Sequence, residues 1–145
     1  MRRDYSIYLL ACVALLIGLV SCDPNNIPEE SFGTSITEDT TTVAGTYTIS
    51  GNLTVDAVWT IEPGTIINIA PDCGIDVSST GRILAVGTSD STITFRSGNT
   101  VPAKGDWYGI DDDGNGSQYE YCVISHADTG LDLGASAASV KHTTF

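Results

Sequence analysis

The sequence predicts an all-β solenoid whose coils each contain about 21–22 residues and three short strands. Three observations support this fold class. Runs of three to six residues alternate apolar with polar side chains and are rich in β-branched and aromatic residues, which is typical of strands. Beyond Thr46, no window of ten or more residues has a convincing helical period. Segments also recur at a fixed offset, as they do in repeat proteins.

The N-terminal segment is predicted to be a signal peptide spanning residues 1–21. Two arginines precede an apolar run at residues 7–20, which is too short for a comfortable membrane span. The following Leu19-Val20-Ser21-Cys22 resembles the lipobox of bacterial lipoproteins. This resemblance implies cleavage before Cys22, a diacylglyceryl group on its sulfur and acylation of the freed amine. The alternative is a plain secretory signal followed by an incidental cysteine.

Residues 22–42 are predicted to be a flexible tether between the lipid and the coils. They are rich in Pro, Asn, Glu, Ser and Thr and poor in apolar residues, so they bury little surface. Several acyl chains on one residue would hold the protein firmly at a bilayer. A membrane is therefore expected as a partner, with the outer membrane or the cell surface as the expected location. Asp23 after Cys22 would imply retention at the inner membrane in enterobacteria, a rule that does not hold in all phyla, so that alternative is left open.

The charge balance restricts the class of partner. The whole chain has a net charge of −12. Without residues 1–21, four basic side chains face seventeen acidic ones, a net charge of −13. Nucleic acids and anionic lipids would be repelled, so neither is expected as a partner. The basic side chains that remain are Arg82, Arg96, Lys104 and Lys141.

The repeat is visible in segments that match at one offset. Each coil would stack on the previous one at about 4.8 Å, the spacing of hydrogen-bonded strands, so that equivalent strands pair in parallel. Like side chains would then form inward ladders in coils that span residues 43–145. At an offset of 22 residues, 53–55 matches 75–77 and Ile61 matches Ile83. At an offset of 21 residues, Gly109-Ile110 matches Gly130-Leu131, and Tyr119, Tyr121 and Ile124 match Val140, His142 and Phe145.

Two connections stand out from this pattern. Residues 59–69, WTIEPGTIINI, predict successive strands joined at a corner by Glu62-Pro63-Gly64, because Pro fixes φ and Gly tolerates a positive φ. Glu62 is expected to be a solvated corner residue. The offset widens to 26 residues between Ile67 and Ile93, and a loop at residues 97–106 is expected to leave one edge of the solenoid.

Specific segments carry a family resemblance. Residues 39–97, DTTTVAGTYTISGNLTVDAVWTIEPGTIINIAPDCGIDVSSTGRILAVGTSDSTITFRS, followed by GDWYGI and YEYCVISHA, resemble the right-handed parallel β-helix proteins of the pectate-lyase-like superfamily. They are most similar to exported lipoproteins of Bacteroidota-type bacteria. The group shares an architecture that serves polysaccharide lyases, hydrolases and carbohydrate-binding or adhesive surface proteins.

The resemblance implies a surface binding or structural module, with polysaccharide as the expected ligand. The alternative is the N-terminal part of a polysaccharide lyase or glycoside hydrolase whose catalytic coils lie beyond residue 145. Because the sequence stops at Phe145 in the middle of a predicted strand, without a capping segment, we expect a longer protein. No catalytic residue is predicted here, since none of the four basic side chains lies in a run that repeats an acid at the coil period.

An acidic run is the sharpest polar cluster. Asp111, Asp112 and Asp113 precede Gly114-Asn115-Gly116 and resemble a calcium loop, which gathers oxygen ligands around a glycine turn. The acids do not alternate, however, and no Glu ends the run, so the EF-hand spacing is missing. A plain acidic loop is expected and calcium is left open, with no other cofactor or metal predicted.

The remaining candidate functional residues are aromatic, histidine and cysteine side chains. At least one ring of Trp107 and Tyr108 is expected in the core, and an outward ring would suit sugar stacking. His142 falls on the ladder position of Tyr121, which favours an interior or stacking role, whereas His126 is isolated. Cys73 and Cys122 could form a disulfide in an oxidising compartment, or remain two separate apolar side chains.

Overall fold

The computed structural model describes residues 30–134 and 137–145. Every regular element in these residues is a β-strand, and none of them is a helix. No helical segment in this part of the chain has the length and apolar character that a membrane crossing requires. The strands are β1 Glu30–Ser31, β2 Ser35–Ile36, β3 Thr40–Thr42, β4 Thr46–Ile49, β5 Leu53–Val55, β6 Val58–Ile61, β7 Ile66–Ile69, β8 Gly74–Val77, β9 Arg82–Val86, β10 Ile93–Ser97, β11 Gly109–Asp112, β12 Gln118–Glu120, β13 Cys122–Ile124, β14 Leu131–Leu133 and β15 Ser139–Lys141.

The strands form three five-stranded parallel sheets, and every third strand along the chain belongs to the same sheet. The first sheet is β1-β4-β7-β10-β13, the second β2-β5-β8-β11-β14 and the third β3-β6-β9-β12-β15. Three consecutive strands therefore make one coil, and each coil pairs with those before and after it. The prediction of an all-β solenoid with parallel coils is confirmed.

The core lies between the three sheets, because alternate side chains of each strand point inward. In β7 the burial alternates between half-buried and fully buried residues. The inward residues stack on their equivalents in neighbouring coils, as apolar ladders do. The largest fully buried side chains are Trp59, Trp107, Tyr119 and Phe95, with Ile49, Leu53, Ile61, Ile67, Ile69, Ile75, Ile83 and Ile93.

The register confirms most of the predicted offsets. Leu53 pairs with Ile75, Ile110 with Leu131, and Tyr119 with Val140. Two predicted pairs are wrong by two residues. Ile61 lies beside Ala85, and Ile67 lies beside Phe95. A shift of two residues keeps the same side chains facing inward, so the apolar pattern could not distinguish these registers.

The predicted corner and loop both form. Gly64 has a φ of 85°, and the Thr65 hydroxyl donates a 2.7 Å hydrogen bond to the Glu62 carbonyl oxygen, which closes the turn between β6 and β7. The loop between β10 and β11 spans residues 98–108. Its shape is fixed by Asp106, whose carboxylate accepts hydrogen bonds from the Ser97 hydroxyl at 2.6 Å and from the Ala103 amide at 2.9 Å. These hydrogen bonds hold the pKa of Asp106 below its ordinary value, and the bond from Ser97 has the largest effect.

The first coil begins earlier than composition indicates. β1, β2 and β3 lie within residues 22–42, which were assigned to the tether. They are only two or three residues long, and Ile36 is their one apolar residue; Ile36 and Thr42 are buried. Backbone hydrogen bonds to β4, β5 and β6 hold these three strands in place, and amino-acid composition gives no information about such pairing. The predicted signal peptide and Cys22 lie outside the described residues.

Candidate functional site

The outer face of the second sheet carries one short pattern in three successive coils. The pattern is a glycine, an inward Ile or Leu, and an aspartate: Gly74-Ile75-Asp76, Gly109-Ile110-Asp111 and Gly130-Leu131-Asp132. Parallel pairing of β8, β11 and β14 places the equivalent residues side by side. The outer face therefore has a row of glycines next to a row of aspartates. We call Asp76, Asp111 and Asp132 the aspartate row.

A groove of about 230 Å³ lies over the aspartate row and over two of the glycines, Gly74 and Gly109. These two glycines form its floor, where the Tyr108 side chain lies against Gly74 and the Thr129 carbonyl oxygen against Gly109, and the aspartate row forms one wall. Asn52 precedes β5 at the position that pairs with Gly74, and its side-chain oxygen accepts a 2.9 Å hydrogen bond from the Gly74 amide. Tyr108 lies immediately before β11 and also lines the groove, with 57% of its surface exposed. The groove thus combines a glycine floor, an acidic wall and an aromatic ring.

Local backbone geometry shapes this groove. Gly109 has a φ of 119°, and a Cβ added there would collide with the carbonyl oxygen of Thr129. A residue with a side chain is therefore excluded at the centre of the floor. Trp107 and Tyr108 point to opposite sides, because Trp107 is fully buried and its ring nitrogen donates a 2.9 Å hydrogen bond to the Ser125 carbonyl oxygen. The expectation that at least one of the two rings lies in the core is confirmed.

The groove is electronegative. Partial burial raises the pKa of the central Asp111, and Asp113, Asp132 and Asp76 raise it further by repulsion. Neighbouring strands lie about 4.8 Å apart, so like charges at paired positions oppose each other directly. None of the described residues that line the groove is basic. A protonated or cationic group entering the groove would relieve the repulsion.

The three consecutive aspartates have different environments. Asp111 faces the groove and Asp113 is exposed, whereas Asp112 is fully buried. The Asp112 carboxylate accepts hydrogen bonds of 2.8 Å from the Gly114 amide and 2.8 Å from the Tyr119 hydroxyl. Both of its oxygens are thus used inside the solenoid, away from Asp111. Within residues 30–134 and 137–145, no group of three or more His, Cys, Asp or Glu side chains is arranged to hold a metal ion.

The basic candidates lie away from the groove. Arg82 is on β9 and Lys141 on β15, both in the third sheet, and Arg96 is on β10 in the first sheet. The Arg96 guanidinium donates a 2.9 Å hydrogen bond to the Asn68 side chain. Lys104 lies in the loop that follows β10 and is exposed. None of the four supplies a base beside the aspartate row.

The histidines and cysteines form no reactive pair in the described residues. The His142 ring stacks on the Tyr121 ring at the surface, with centroids 4.6 Å apart and planes inclined by 14°, which confirms the predicted stacking. His126 has a buried Nδ1 without a hydrogen-bond partner. Cys73 and Cys122 are both free and buried, so the alternative of a disulfide is not realised. Burial raises the pKa of Cys122 to about 11.

Sequence reasoning missed the aspartate row, although its signal is present in the chain. The repeated Gly, Ile or Leu, and Asp pattern occurs three times, with 35 residues between the first two copies and 21 between the last two. The first interval contains the inserted loop, which hid the repeat from a search at constant offset. Asp111 was considered only as part of a calcium loop, and not as a position in a ladder.

Comparison with known proteins supports the architecture. A family model described as "Pectate-lyase like beta helix domain" matches residues 33–132, which include all of the groove. No curated protein matches the chain, and no solved structure matches it.

Proposed function

The chain belongs to the family of pectate-lyase-like β-helix domains, and we propose that it is an exported, lipid-anchored surface protein that binds polysaccharide through the groove of the second sheet. The observation that supports this most is the repetition of an outward aspartate at paired positions of three consecutive coils. A ligand that repeats along its length can make equivalent contacts with each coil. A linear polysaccharide has that property.

The side chains of the groove suit sugar chemistry. Carboxylates accept several hydrogen bonds, and sugar hydroxyl groups can donate them. An exposed tyrosine ring offers an apolar face for stacking and a hydroxyl at its edge. Tyr108 supplies such a ring beside the aspartate row. The lipid anchor rests on the lipobox at Cys22 and would hold the solenoid at the outer membrane or cell surface.

Glycoside hydrolysis is the second candidate, and one observation favours it. Asp111 has a raised pKa and lies between Asp76 and Asp132 on adjacent strands. Hydrolases pair a carboxyl group of raised pKa with a second carboxylate. A lyase is less well supported, since no Arg or Lys lines the groove to act as the base. Retention of a glycan without shortening it would favour the binding module.

The experiment that tests the proposal measures binding of the full chain to immobilised polysaccharides of different charge. We expect retention of at least one polysaccharide and no release of shorter products. Tyr108→Ala should weaken binding about tenfold, because truncating a central aromatic contact costs roughly 1–2 kcal/mol. Val101→Ala is the control, since Val101 is an exposed apolar side chain on the preceding loop. Equal affinity of both variants would contradict the assignment of the groove.

A further inference from the structure

The turn between β11 and β12 is fixed at both ends and exposed at its tip. At one end, the Gly114 amide donates a 2.8 Å hydrogen bond to the buried Asp112 carboxylate. At the other end, the Ser117 hydroxyl oxygen accepts a 3.1 Å hydrogen bond from an amide of β9. Gly114 and Ser117 are buried, whereas Asn115 is exposed. Asn115 and Gly116 therefore form the tip of the turn, at the corner between the second and third sheets.

The backbone at this tip leaves the Asn115 side chain open to attack by the next amide nitrogen. Gly116 has a φ of 87°, and a Cβ added there would meet no other part of the chain except an Arg82 guanidinium nitrogen at 3.9 Å. Because glycine carries no side chain, its nitrogen is not shielded from the amide carbon of the preceding side chain. Among the backbone hydrogen bonds of the described residues, none is donated by the Gly116 amide. The attacking nitrogen and the carbon it would attack are thus adjacent in one exposed turn.

The other asparagines of the described residues, and a second pair with a following glycine, are protected. Asp113 also precedes a glycine, but the Gly114 amide is already used in the hydrogen bond within the turn. The side-chain oxygens of Asn52 and Asn68 accept hydrogen bonds of 2.9 Å from other coils, and a branched residue follows each of them. Asn99 is followed by a β-branched threonine, whose side chain crowds the backbone nitrogen. The structure therefore singles out Asn115.

We infer that Asn115 is a site of spontaneous covalent modification, in which water converts its side-chain amide to a carboxylate through a cyclic intermediate. The Gly116 nitrogen gives up its proton and forms a bond to the Asn115 Cγ, and the side-chain nitrogen leaves as ammonia. Water then opens the resulting succinimide ring at either of its carbonyl groups. One opening gives aspartate, and the other gives isoaspartate, in which the main chain runs through the side-chain carbon. The inference does not depend on glycan binding.

The modification changes both the charge and the path of this turn. Either product adds a negative charge close to the Arg82 guanidinium, and isoaspartate also lengthens the main chain by a carbon atom. The hydrogen bonds of Asp112 and Ser117 lie outside the altered pair, so the three sheets should remain intact. Since the reaction is irreversible and needs no enzyme, the modified fraction increases with the age of the folded protein.

The test incubates the folded full chain at neutral and at mildly alkaline pH and follows each asparagine by peptide mass spectrometry. Methyl transfer by an isoaspartyl methyltransferase detects the isoaspartate separately. We expect Asn115 to be converted at least about tenfold faster than Asn52, Asn68 or Asn99. The rate should rise with pH, because the attacking nitrogen must lose its proton.

Matched variants connect the reaction to the pair at the tip. N115Q should abolish methyl acceptance at this turn, because the longer side chain would have to close a larger ring. N99Q is the control, since it changes an asparagine of the loop after β10 and should leave the rate at Asn115 unchanged. G116A should slow the conversion of Asn115 at least about tenfold, because a methyl group then shields the nitrogen. If G116A loses its β-sheet circular dichroism, N115Q and N99Q carry the test.

Unfolding separates the contribution of the structure from that of the sequence. In concentrated urea the Gly114 amide is released, so isoaspartate should also form at Asp113, whereas in the folded chain Asp113 should stay unmodified. Conversion of Asn115 no faster than that of the other asparagines in the folded chain overturns the inference, and so does methyl acceptance at this turn that persists in N115Q. These measurements involve no polysaccharide, so they leave the proposed function to its own test.

Discussion

At the scale of single residues, alternation along a strand gives neighbouring aspartates opposite roles. Asp111 faces the groove, whereas Asp112 points into the core beside Tyr119, which is also fully buried. Burial of a carboxylate is costly unless its oxygens are hydrogen-bonded, and the Tyr119 hydroxyl and Gly114 amide satisfy this requirement. The same pair ties the turn after β11 to β12. The acidic run therefore faces the groove at Asp111 and anchors the fold from inside at Asp112.

Tyr119→Phe should destabilise the fold because it removes one of the two partners of the buried Asp112 carboxylate. The expected loss in the free energy of unfolding is about 1–3 kcal/mol, measured by urea denaturation at neutral pH. The matched control is Tyr121→Phe, since the Tyr121 ring is half-buried and lies at the surface against His142. Similar stabilities of the two variants would contradict a stabilising role for the buried pair.

The same substitution should change the response to alkaline pH. Burial raises the pKa of Tyr119 well above its ordinary value of 10.0, and the negative charge of Asp112 raises it further. The folded state therefore holds this proton at pH values where the unfolded chain has released it. Stability is unaffected below the unfolded pKa and falls as the pH rises above about 10. In urea titrations from about pH 8 to about pH 11, the wild type should lose more stability than Tyr119→Phe.

At the scale of elements, strands of two to five residues are held by neighbours on both sides. Such strands are too short to be stable alone, but each inner strand pairs with the equivalent strands of two coils. Inward ladders add packing along the axis. Phe95 of β10, for example, lies between Ile67 of β7 and Ile124 of β13. The central coils should therefore be the most sensitive to loss of a core side chain.

Phe95→Ala should lower the free energy of unfolding by about 3–5 kcal/mol, because a fully buried ring leaves a cavity between two ladder neighbours. Val101→Ala removes an apolar side chain that is 82% exposed in the following loop, and should change stability by less than about 0.5 kcal/mol. Thermal and urea unfolding of both variants would measure this difference. A loss below about 1 kcal/mol for Phe95→Ala would indicate that the ladder is loosely packed.

At the scale of the whole molecule, an acidic solenoid is proposed to stand on a lipid anchor. Its net charge of −13 without residues 1–21 would keep the protein away from anionic surfaces and from other copies of itself. Several acyl chains at Cys22 would oppose that repulsion and hold the solenoid at a membrane. β1 already pairs with β4 at Glu30, so at most a short segment would separate the lipid at Cys22 from the solenoid.

Cys22→Ala should abolish the incorporation of a labelled fatty acid, because the modified sulfur is removed. The measurement is labelling in the producing bacterium, followed by mass spectrometry of the mature N-terminus. Cys12→Ala is the matched control, since Cys12 lies in the apolar segment that would be removed with the signal peptide. Labelling of Cys22→Ala at the level of the control would refute the lipid anchor.

Particular residues show how far sequence reasoning reaches. The pairing of Leu53 with Ile75 and of Ile110 with Leu131 follows from apolar repetition at a constant offset, and the structure confirms it. The partner of Ile67 was misplaced by two residues, because Ile93 and Phe95 both face inward and only backbone hydrogen bonds choose between them. The groove was missed for a related reason. Asp76 and Asp111 become neighbours only when the inserted loop is bypassed by strand pairing.

The sequence by itself determined the fold class, the corner at Pro63 and Gly64, and the acidic character of the surface, because these depend on local periodicity, on backbone preferences and on charge. The tertiary structure alone decided the strand register, the pairing of β1 with β4, the inward turn of Asp112 and the alignment of the aspartate row. The alignment of the aspartate row depends on pairing between residues 21 and 35 positions apart, and the inward turn of Asp112 on the Tyr119 hydroxyl, seven positions along the chain. The choice among such bonds is made by packing of all three sheets together, which no local segment encodes.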